Sequence, residues 1–308
     1  MTMAIGHYLL QQLSAAGIRY EGAMGTELTR KTVEEADLLL LLGVTLNDVD
    51  LGIFTAQLAP NRMIRASHDE VIIRHHRYPN VYLKDFLSAL AAQLPPLKPS
   101  LPKPQTTLEP QSFPQADQAM TVARMIARLN NALSPEIMVV CDTGDCLFAA
   151  IDLRVYQHSE FLASAFYTTM GFAVPASLGA QVARPDRRAL VLVGDGAFQM
   201  TGTELTTHAR LGLNPIVIVF NNRGYSTERF LLAGPFNDIA PWQFERLGEV
   251  FGPLHGFAVQ TEAEFETALQ HALTLTDRPC LINVHLHPDD PSPALRRLTT
   301  HLKQKVDG

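Results

Sequence analysis

The fold is decided by residues 190–228, which read LVLVGDGAFQMTGTELTTHARLGLNPIVIVFNNRGYSTE. Residues 190–193 are a short apolar run that stops at Gly194-Asp195-Gly196, and residues 216–220 are a second run that stops at Asn221-Asn222. The residues between the two runs have a helical pattern. A strand, a tight loop, a helix and a second strand in this order predict a βαβ unit of a parallel sheet.

Both polar loops follow the carboxyl ends of their strands, which is the edge of an open α/β sheet where ligands bind. Mg²⁺ takes oxygen ligands in near-octahedral geometry, usually from one or two carboxylates together with phosphate and water. Asp195 can supply a carboxylate oxygen and Asn222 an amide oxygen. The glycines beside Asp195 let the backbone approach phosphate groups closely. These residues therefore predict a magnesium diphosphate site at this edge of the sheet.

The helix after this loop carries a capping-box pattern, Thr201-x-x-Glu204. In such a box the two side chains accept hydrogen bonds from backbone N–H groups at the start of a helix. We expect the N-terminal end of this helix to favour a bound anion, because helix N-termini present unpaired N–H groups.

A lone Gly-Asp-Gly triplet is most often a turn. Here it follows an apolar strand, and Asn222 in the Asn-Asn pair after the next strand comes 27 positions beyond Asp195. In this combination the sequence resembles the thiamine diphosphate enzymes, whose signature is GDG, a spacer of this length and NN. The resemblance implies thiamine diphosphate and Mg²⁺ as cofactors. It also implies three metal ligands, namely Asp195, Asn222 and the backbone carbonyl of Gly224.

The segment from about Tyr20 to His287 resembles one subgroup of this family, the pyruvate and indolepyruvate decarboxylases. YEGAMG, ADLLLLLGVTLNDVDLGIF and HHRYPNVYLKDFL resemble the second half of that family's middle domain. CDTGDCLFAA through NVHLH resembles its complete diphosphate-binding domain. The first eighteen or so residues resemble only the opening helix of its pyrimidine-binding domain.

The predicted fold is α/β, a doubly wound parallel sheet of the thiamine diphosphate-binding type preceded by a partial α/β middle domain. The middle part offers few segments for an independent sheet. Prolines are dense from Pro95 to Pro114, where apolar periodicity is weak, which indicates an extended linker. The predicted segments are a pyrimidine-domain remnant (1–18), a partial middle domain (19–94), the Pro-rich linker (95–117), a diphosphate- and Mg-binding domain (118–290) and a C-terminal tail (291–308).

Periodicity and turn signals place the individual elements. Residues 20–30 are expected to form a loop. The predicted helices are 3–17, 32–36, 83–94, 119–133, 175–182 and 262–275. The predicted strands are 38–42, 61–66, 71–73, 137–141, 161–165, 190–193, 216–220, 258–260 and 280–285.

The resemblance implies further contacts to the cofactor. Met170, in TTMGF, matches the large apolar side chain that props the two cofactor rings into a V shape, although an isolated Met is more often ordinary core. The backbone of Thr168 is expected near the pyrimidine amino group, and relatives often have Thr or Ser where this chain has Asp145. The residues expected to bind the cofactor are Gly144, Asp145, Thr168, Met170, Gly194, Gly196, Ala197, Asn222 and Tyr225.

Glu228, in GYSTE, matches the family's acid/base glutamate beside the reacting carbon. A carboxyl group there can protonate that carbon after CO₂ departs, if partial burial raises its pKa. The alternative is a solvated glutamate at the start of a helix.

The departure from the family pattern is large, because most of the pyrimidine-binding domain and the first half of the middle domain have no counterpart here. The absent domain carries the glutamate that contacts the aminopyrimidine ring, and no residue of this chain matches it. The family's paired active-site histidines also belong to that domain. His75-His76 match a middle-domain segment and are interpreted as structural.

The reaction implied is non-oxidative decarboxylation of a 2-oxo acid, with the pyrimidine-binding domain supplied in trans by a homo-oligomer or a partner chain. One alternative is a non-catalytic remnant that binds the cofactor weakly or serves as an interaction partner. Another is carboligation of the acetolactate synthase type. The segment ERFLLAGPFNDI resembles the decarboxylases more than the carboligases.

Composition narrows the function classes. The chain has 308 residues, 46% of them hydrophobic, and a net charge of −6 that is not clustered, so we expect no nucleic-acid partner. No apolar run reaches about 18 residues and the start does not resemble a signal peptide, so we expect no membrane span. The three cysteines have no disulfide or zinc spacing. The expected location is cytoplasmic.

Overall fold

The computed structural model describes residues 22–44, 46–48, 50–93, 118–153, 161–164 and 166–306. The predicted remnant with its helix at 3–17 and the predicted linker at 95–117 lie outside these residues. The chain divides into two compact units, Met1–Thr107 and Leu108–Gly308. The division falls inside the predicted linker, and the assignment of domains to the predicted segments remains a prediction.

The described part of unit 1 has a four-stranded mixed sheet in the order β1-β2-β3-β4. Its first pair is parallel and the others are antiparallel. The strands are β1 (Leu39–Leu42), β2 (Met63–Ala66), β3 (Glu70–Ile73) and β4 (His76–Pro79), and the helices are α1 (Glu27–Glu34) and α2 (Leu83–Gln93).

The expectation of too few segments for a sheet in this part of the chain is wrong, because β4 completes it. Strand β4 follows β3 across a turn at Arg74, whose φ of 56° is left-handed. All four residues of β4 are exposed. The sequence HRYP therefore carries no apolar signal, and hydrogen bonding to β3 alone defines the strand.

Helix α1 also differs from the prediction, which put a loop at 20–30 and a helix only from residue 32. The helix begins at Glu27 because Thr26 caps it, with the Thr26 hydroxyl accepting a hydrogen bond from the Thr29 N–H at 3.3 Å. A Lys31–Glu27 ion pair spans its exposed first turn. Only Leu28 and Val33 of its eight residues are apolar, so its apolar periodicity is weak.

Unit 2 contains an all-parallel sheet with six strands among its described residues, in the order β6-β5-β7-β8-β10-β9. The strands are β5 (Ile137–Cys141), β6 (Phe161–Ala163), β7 (Arg188–Gly194), β8 (Ile216–Asn221), β9 (His255–Val259) and β10 (Cys280–His285). The helices are α3 (Val122–Ala132), α4 (Asp145–Ala150), α5 (Ala173–Ala183), α6 (Asp195–Thr201), α7 (Leu205–Arg210), α8 (Ser226–Leu231), α9 (Gly248–Phe251), α10 (Glu262–Thr274) and α11 (Pro293–Val306).

Helices cover both faces of this sheet, which confirms the predicted doubly wound fold. In β8, Ile216, Ile218 and Phe220 face a core built with α3, α4 and α10. Val217 and Val219 face the opposite core, built with α5, α6 and α7. Strands buried on both faces are expected to be continuous apolar runs, and this is why the sequence pattern located them well.

Within the segment predicted as a C-terminal tail, residues 293–306 form helix α11, which packs against α4. Ser292 caps the N-terminus of this helix, because its hydroxyl accepts a hydrogen bond from the Leu295 N–H at 3.2 Å. Arg297 forms an ion pair with Asp152 at 2.9 Å. Among the described residues, none of the helices is both long enough and apolar enough to cross a membrane.

Candidate functional site

Three loops leave the carboxyl edge of the unit 2 sheet side by side, because β5 pairs with β7 and β7 pairs with β8. The chain runs from β5 outward to β6 and then back across to β7, so this edge contains a topological switch point. Ligands of open α/β sheets bind at such points. Asp142, Asp195 and Asn222 follow the three strands.

The carboxylate of Asp195 joins two of these loops. It is 2% exposed, and it accepts hydrogen bonds from the Gly196 N–H at 2.8 Å and from the Gly224 N–H at 3.1 Å. Burial raises the pKa of Asp195 to about 6, and the backbone N–H donors partly oppose that rise. A nearby cation favours the ionised form of a carboxyl group. The structure thus brings the Gly-Asp-Gly loop against the loop that follows β8.

The side-chain oxygen of Asn222 is an unusual atom in this loop. Asn222 is 5% exposed, and its Oδ1 has no hydrogen-bond partner among the described residues. A buried acceptor without a partner costs about 1–3 kcal/mol of folding free energy. An oxygen ligand for a hard cation has this chemistry, so the donor set of Asp195 and Asn222 fits Mg²⁺.

The backbone after Asn222 adopts a conformation that requires glycine. Arg223 and Gly224 have φ values of 64° and 150°. A Cβ at Gly224 would lie 2.0 Å from the carbonyl oxygen of Asn237, so no other residue fits without movement. The Tyr225 N–H donates to that same carbonyl at 2.9 Å.

Glycines also leave space for a ligand beside the backbone. A Cβ added at Gly144 or Gly194 would meet nothing within 4 Å, and both residues border the carboxyl edge. Gly196 differs, because a Cβ there would lie 2.6 Å from Cε1 of Tyr225. Ala197, in the first turn of α6, is buried. Open backbone at two strand ends fits the close approach of phosphate groups.

Asp142 is a residue of this edge that the sequence analysis did not single out. It is fully buried, and its carboxylate accepts hydrogen bonds from the N–H groups of Thr143 at 2.9 Å, Gly171 at 2.9 Å and Ala173 at 2.7 Å. Burial raises the pKa of Asp142, and these donors oppose the rise. The sequence does contain a signal for Asp142, and it is the same as for Asp195: an acidic residue directly follows a buried apolar strand.

The turn held by Asp142 carries two of the residues expected at the cofactor. Thr168 has a φ of 57°, and its N–H donates to the Ser164 carbonyl at 2.7 Å. Met170 is half-buried and packs against the core on the α5 face. Gly171 has a φ of 82°, and its carbonyl accepts a hydrogen bond from the Thr201 hydroxyl at 2.8 Å.

The predicted capping box at Thr201 and Glu204 is wrong. Helix α6 begins at Asp195, directly after the strand, so Thr201 is its last residue and Glu204 lies in the short 3₁₀ helix that follows. The Thr201 hydroxyl is engaged by Gly171 instead. A capping box does occur at Thr261 and Glu264, where it starts α10.

Two further acidic residues, Asp145 and Glu228, have predicted roles at this site. Asp145 is buried, and its carboxylate accepts the Ser292 N–H at 2.9 Å, so it contacts the start of α11. Burial raises the pKa of Asp145 to about 6, opposed by the hydrogen bonds from Ser292. Glu228 lies in α8, two residues after its first residue Ser226, with an exposed side chain.

Comparison with known proteins bears on this arrangement. Residues 142–284 match the family described as thiamine pyrophosphate enzyme, C-terminal TPP binding domain. The chain is 36% identical over 273 residues to an indole-3-pyruvate decarboxylase of Azospirillum brasilense, covering 85% of this chain and 48% of the relative. It is 34% identical over 294 residues to an alpha-keto-acid decarboxylase of Mycolicibacterium paratuberculosis, covering 92% and 52%.

Residues 142–284 therefore carry the TPP-binding domain of the thiamine pyrophosphate enzymes, and most of the chain is similar to relatives named as decarboxylases of 2-oxo acids. This confirms the resemblance that the sequence indicated. The match in unit 2 begins at Asp142 and extends through β10, so it includes all three loops of the carboxyl edge. The chain spans about half the length of the curated relatives it matches.

Proposed function

We propose that this chain supplies the diphosphate- and magnesium-binding half of a thiamine diphosphate-dependent decarboxylase acting on a 2-oxo acid. The observation that carries the proposal is the buried, unpartnered Oδ1 of Asn222 in the loop that Asp195 holds. The names of the relatives support decarboxylation over the carboligase alternative. We further propose that a pyrimidine-binding domain acts in trans, from a homo-oligomer or a partner chain.

The proposed metal ligands are the Asp195 carboxylate, the Asn222 amide oxygen and the Gly224 carbonyl. Asp195 already accepts two backbone hydrogen bonds, which fix the orientation of its carboxylate toward the loop. Gly144, Gly194, Gly196 and Ala197 would line the diphosphate with backbone. These oxygen ligands would hold a divalent cation at the loop, where it would supply positive charge to offset that of the phosphate groups.

Thiamine diphosphate, when bound, supplies the stabilisation of negative charge at the reacting carbon. The proposed contribution of this chain is binding and orientation. The turn formed by Thr168, Met170 and Gly171 would position the two rings of the cofactor. The side chain of Tyr225 lies beside Gly196 and would cover the loop proposed to bind the diphosphate. We propose a contact between Asp145 and the cofactor through its backbone only, since its carboxylate is engaged by Ser292.

Glu228 is the proposed proton donor to the reacting carbon. Its exposure in this chain leaves room for a partner domain to bury it. Burial would raise the pKa of a carboxyl group and keep it protonated nearer neutral pH. The exposed aromatic residues after β6, Phe166 and Tyr167, also lie in a loop that leaves the carboxyl edge of the sheet.

The first experiment is calorimetric titration of thiamine diphosphate into the purified chain, with Mg²⁺ and with a chelator. We expect Mg²⁺-dependent binding in the parent and none in Asp195→Asn. Asp186→Asn is the matched control, because Asp186 is an exposed surface residue of the same unit paired with Arg184. Equal affinity in all three proteins would refute the proposed metal site.

The second experiment measures CO₂ release from pyruvate, indolepyruvate and phenylpyruvate at saturating cofactor and Mg²⁺. We expect little or no turnover by the chain alone and a gain on adding a chain that carries a pyrimidine-binding domain. Turnover on the order of 10 s⁻¹ by the isolated chain would refute the requirement in trans. Cofactor binding without turnover under either condition would favour the non-catalytic alternative.

A further inference from the structure

Arg229 lies on α8, and its guanidinium folds back over the loop from Asn222 to Gly224. Nη1 donates to the carbonyls of Asn222 and Pro288, each at 3.4 Å. Nη2 donates to the carbonyl of Arg223 at 3.3 Å and to the carboxylate of Asp238 at 3.1 Å. Four acceptors from three different segments therefore surround one planar cation, a geometry for which the five donors of arginine are suited.

This position is unusual for a side chain on a short surface helix. Arginine loses much side-chain conformational entropy when it is fixed, so an arginine without a structural partner stays in solvent. The side chain of Arg229 is instead only 14% exposed. A Cβ at Gly224 would lie 2.8 Å from Nη2, so the absence of a side chain there lets the guanidinium approach the backbone.

The loop needs such a partner because two successive residues, Arg223 and Gly224, have positive φ values. A non-glycine residue in the left-handed region is strained and persists only when its surroundings hold it. Asp195 holds the loop from the inside through the Gly224 N–H. Arg229 holds it from the outside through the carbonyls of Asn222 and Arg223.

We propose that Arg229 is a positioning residue. It holds the loop from Asn222 to Gly224 in the conformation that binds the metal ion. It contacts the carbonyls of Asn222 and Arg223, which fixes the two peptide groups that directly follow the Asn222 side chain. Asp238, 3.1 Å away, offsets the guanidinium charge, so the arrangement adds no net positive charge beside the cation. The same contacts tie α8, which carries Glu228, to the loop. This inference rests on the proposed magnesium site.

The test is the Mg²⁺ concentration that gives half-maximal binding of thiamine diphosphate, measured by calorimetry on the purified chain. We expect Arg229→Met to raise it about 10- to 100-fold, the range typical of residues that orient metal ligands. Excess Mg²⁺ should restore thiamine diphosphate binding. Arg229→Lys should recover part of the loss, since an ammonium group reaches fewer acceptors. The control is Arg246→Met, because Arg246 is exposed and paired only locally with Gln243 and Glu249.

Asp238→Asn provides a second variant, because the Asp238 side chain is exposed and asparagine has nearly the same shape, so we expect this protein to fold like the parent. It should shift the Mg²⁺ requirement in the same direction by a smaller factor. An unchanged requirement in both Arg229→Met and Asp238→Asn would overturn the inference and leave the proposed site standing. Loss of binding that excess Mg²⁺ does not restore would also overturn it. Absence of Mg²⁺-dependent binding in the parent would overturn both proposals.

Discussion

Strands β1 of unit 1 and β8 of unit 2 are both apolar runs, yet their burial differs. All six residues of β8 are buried, whereas the four consecutive leucines of β1 are all only partly buried. Strand β8 has strand neighbours on both sides and helices on both faces, whereas β1 pairs with a strand on one side only among the described residues of unit 1. An apolar run therefore predicts a strand, while its neighbours determine how far it is buried.

Charged groups differ between the units in the same way. Unit 2 buries the carboxylates of Asp142, Asp145 and Asp195, each with backbone donors. In unit 1 the paired charges of Glu70 and Arg77 stay near the surface. Burying a carboxylate is costly unless it is well hydrogen-bonded. Unit 2 therefore places its costly groups at and beside the carboxyl edge of its sheet.

We expect the largest loss of stability when one buried side chain is truncated in β8, compared with the same kind of truncation in β1. Ile218→Ala should destabilise unit 2 by about 3–4 kcal/mol, because Ile218 is fully buried and leaves a cavity. Leu40→Ala should cost unit 1 at most about 1.5 kcal/mol, since Leu40 is partly exposed already. Urea unfolding followed by circular dichroism, with fluorescence of Trp242 in unit 2, measures both. Equal costs would contradict the difference in burial.

The next effect concerns the buried carboxylates. Asp142→Asn should destabilise unit 2 by about 2–3 kcal/mol, because the new amide group directs N–H donors toward backbone N–H donors. Glu70→Gln should change unit 1 by less than about 1 kcal/mol, as for other exposed ion pairs. Urea unfolding midpoints with unchanged slopes would give both values. A larger loss in Glu70→Gln than in Asp142→Asn would reverse the comparison.

The same contrast explains which features the sequence could predict. Strands β5 and β10 begin and end where periodicity put them, because both faces are covered and the apolar run ends with the strand. Strand β4 is polar and exposed, and only pairing with β3 defines it. Local pattern carries no information about such pairing, so β4 was missed, whereas the other three strands of this sheet were predicted at 38–42, 61–66 and 71–73.

At the candidate site, residue types and spacing singled out Asp195 and Asn222 as candidates, but they did not single out the residues whose contacts hold the loops around them. Asp142 contacts Gly171 and Ala173 about thirty residues along the chain, and Arg229 contacts Pro288 across a longer interval. These contacts exist only after the sheet has brought the loops together. The capping box failed for a related reason, because the strand passes directly into α6 at Asp195.

The smallest expected effect is a pH dependence at Asp145. Burial raises its pKa from 3.8 in the unfolded chain to about 6 in the folded one. The folded state thus favours the protonated carboxyl group. Its contribution to stability is fully present below pH 3.8 and is lost as the pH rises through about 6. Asp186 shows the opposite shift, because its hydrogen bond with Arg184 lowers its pKa. This carboxylate is therefore ionised at both pH 7 and pH 5, and its contribution to the free energy of unfolding does not change between them.

Comparison of the parent with Asp145→Asn isolates this contribution. Lowering the pH from 7 to 5 should stabilise the parent relative to Asp145→Asn by about 1 kcal/mol, since one pKa unit corresponds to 1.36 kcal/mol. Urea unfolding followed by Trp242 fluorescence at pH 7, 6 and 5 gives the difference directly. The parent and Asp186→Asn should differ by a constant amount over this range. A constant difference for Asp145→Asn as well would mean that this carboxylate stays ionised in unit 2, with the Ser292 N–H compensating fully for its burial.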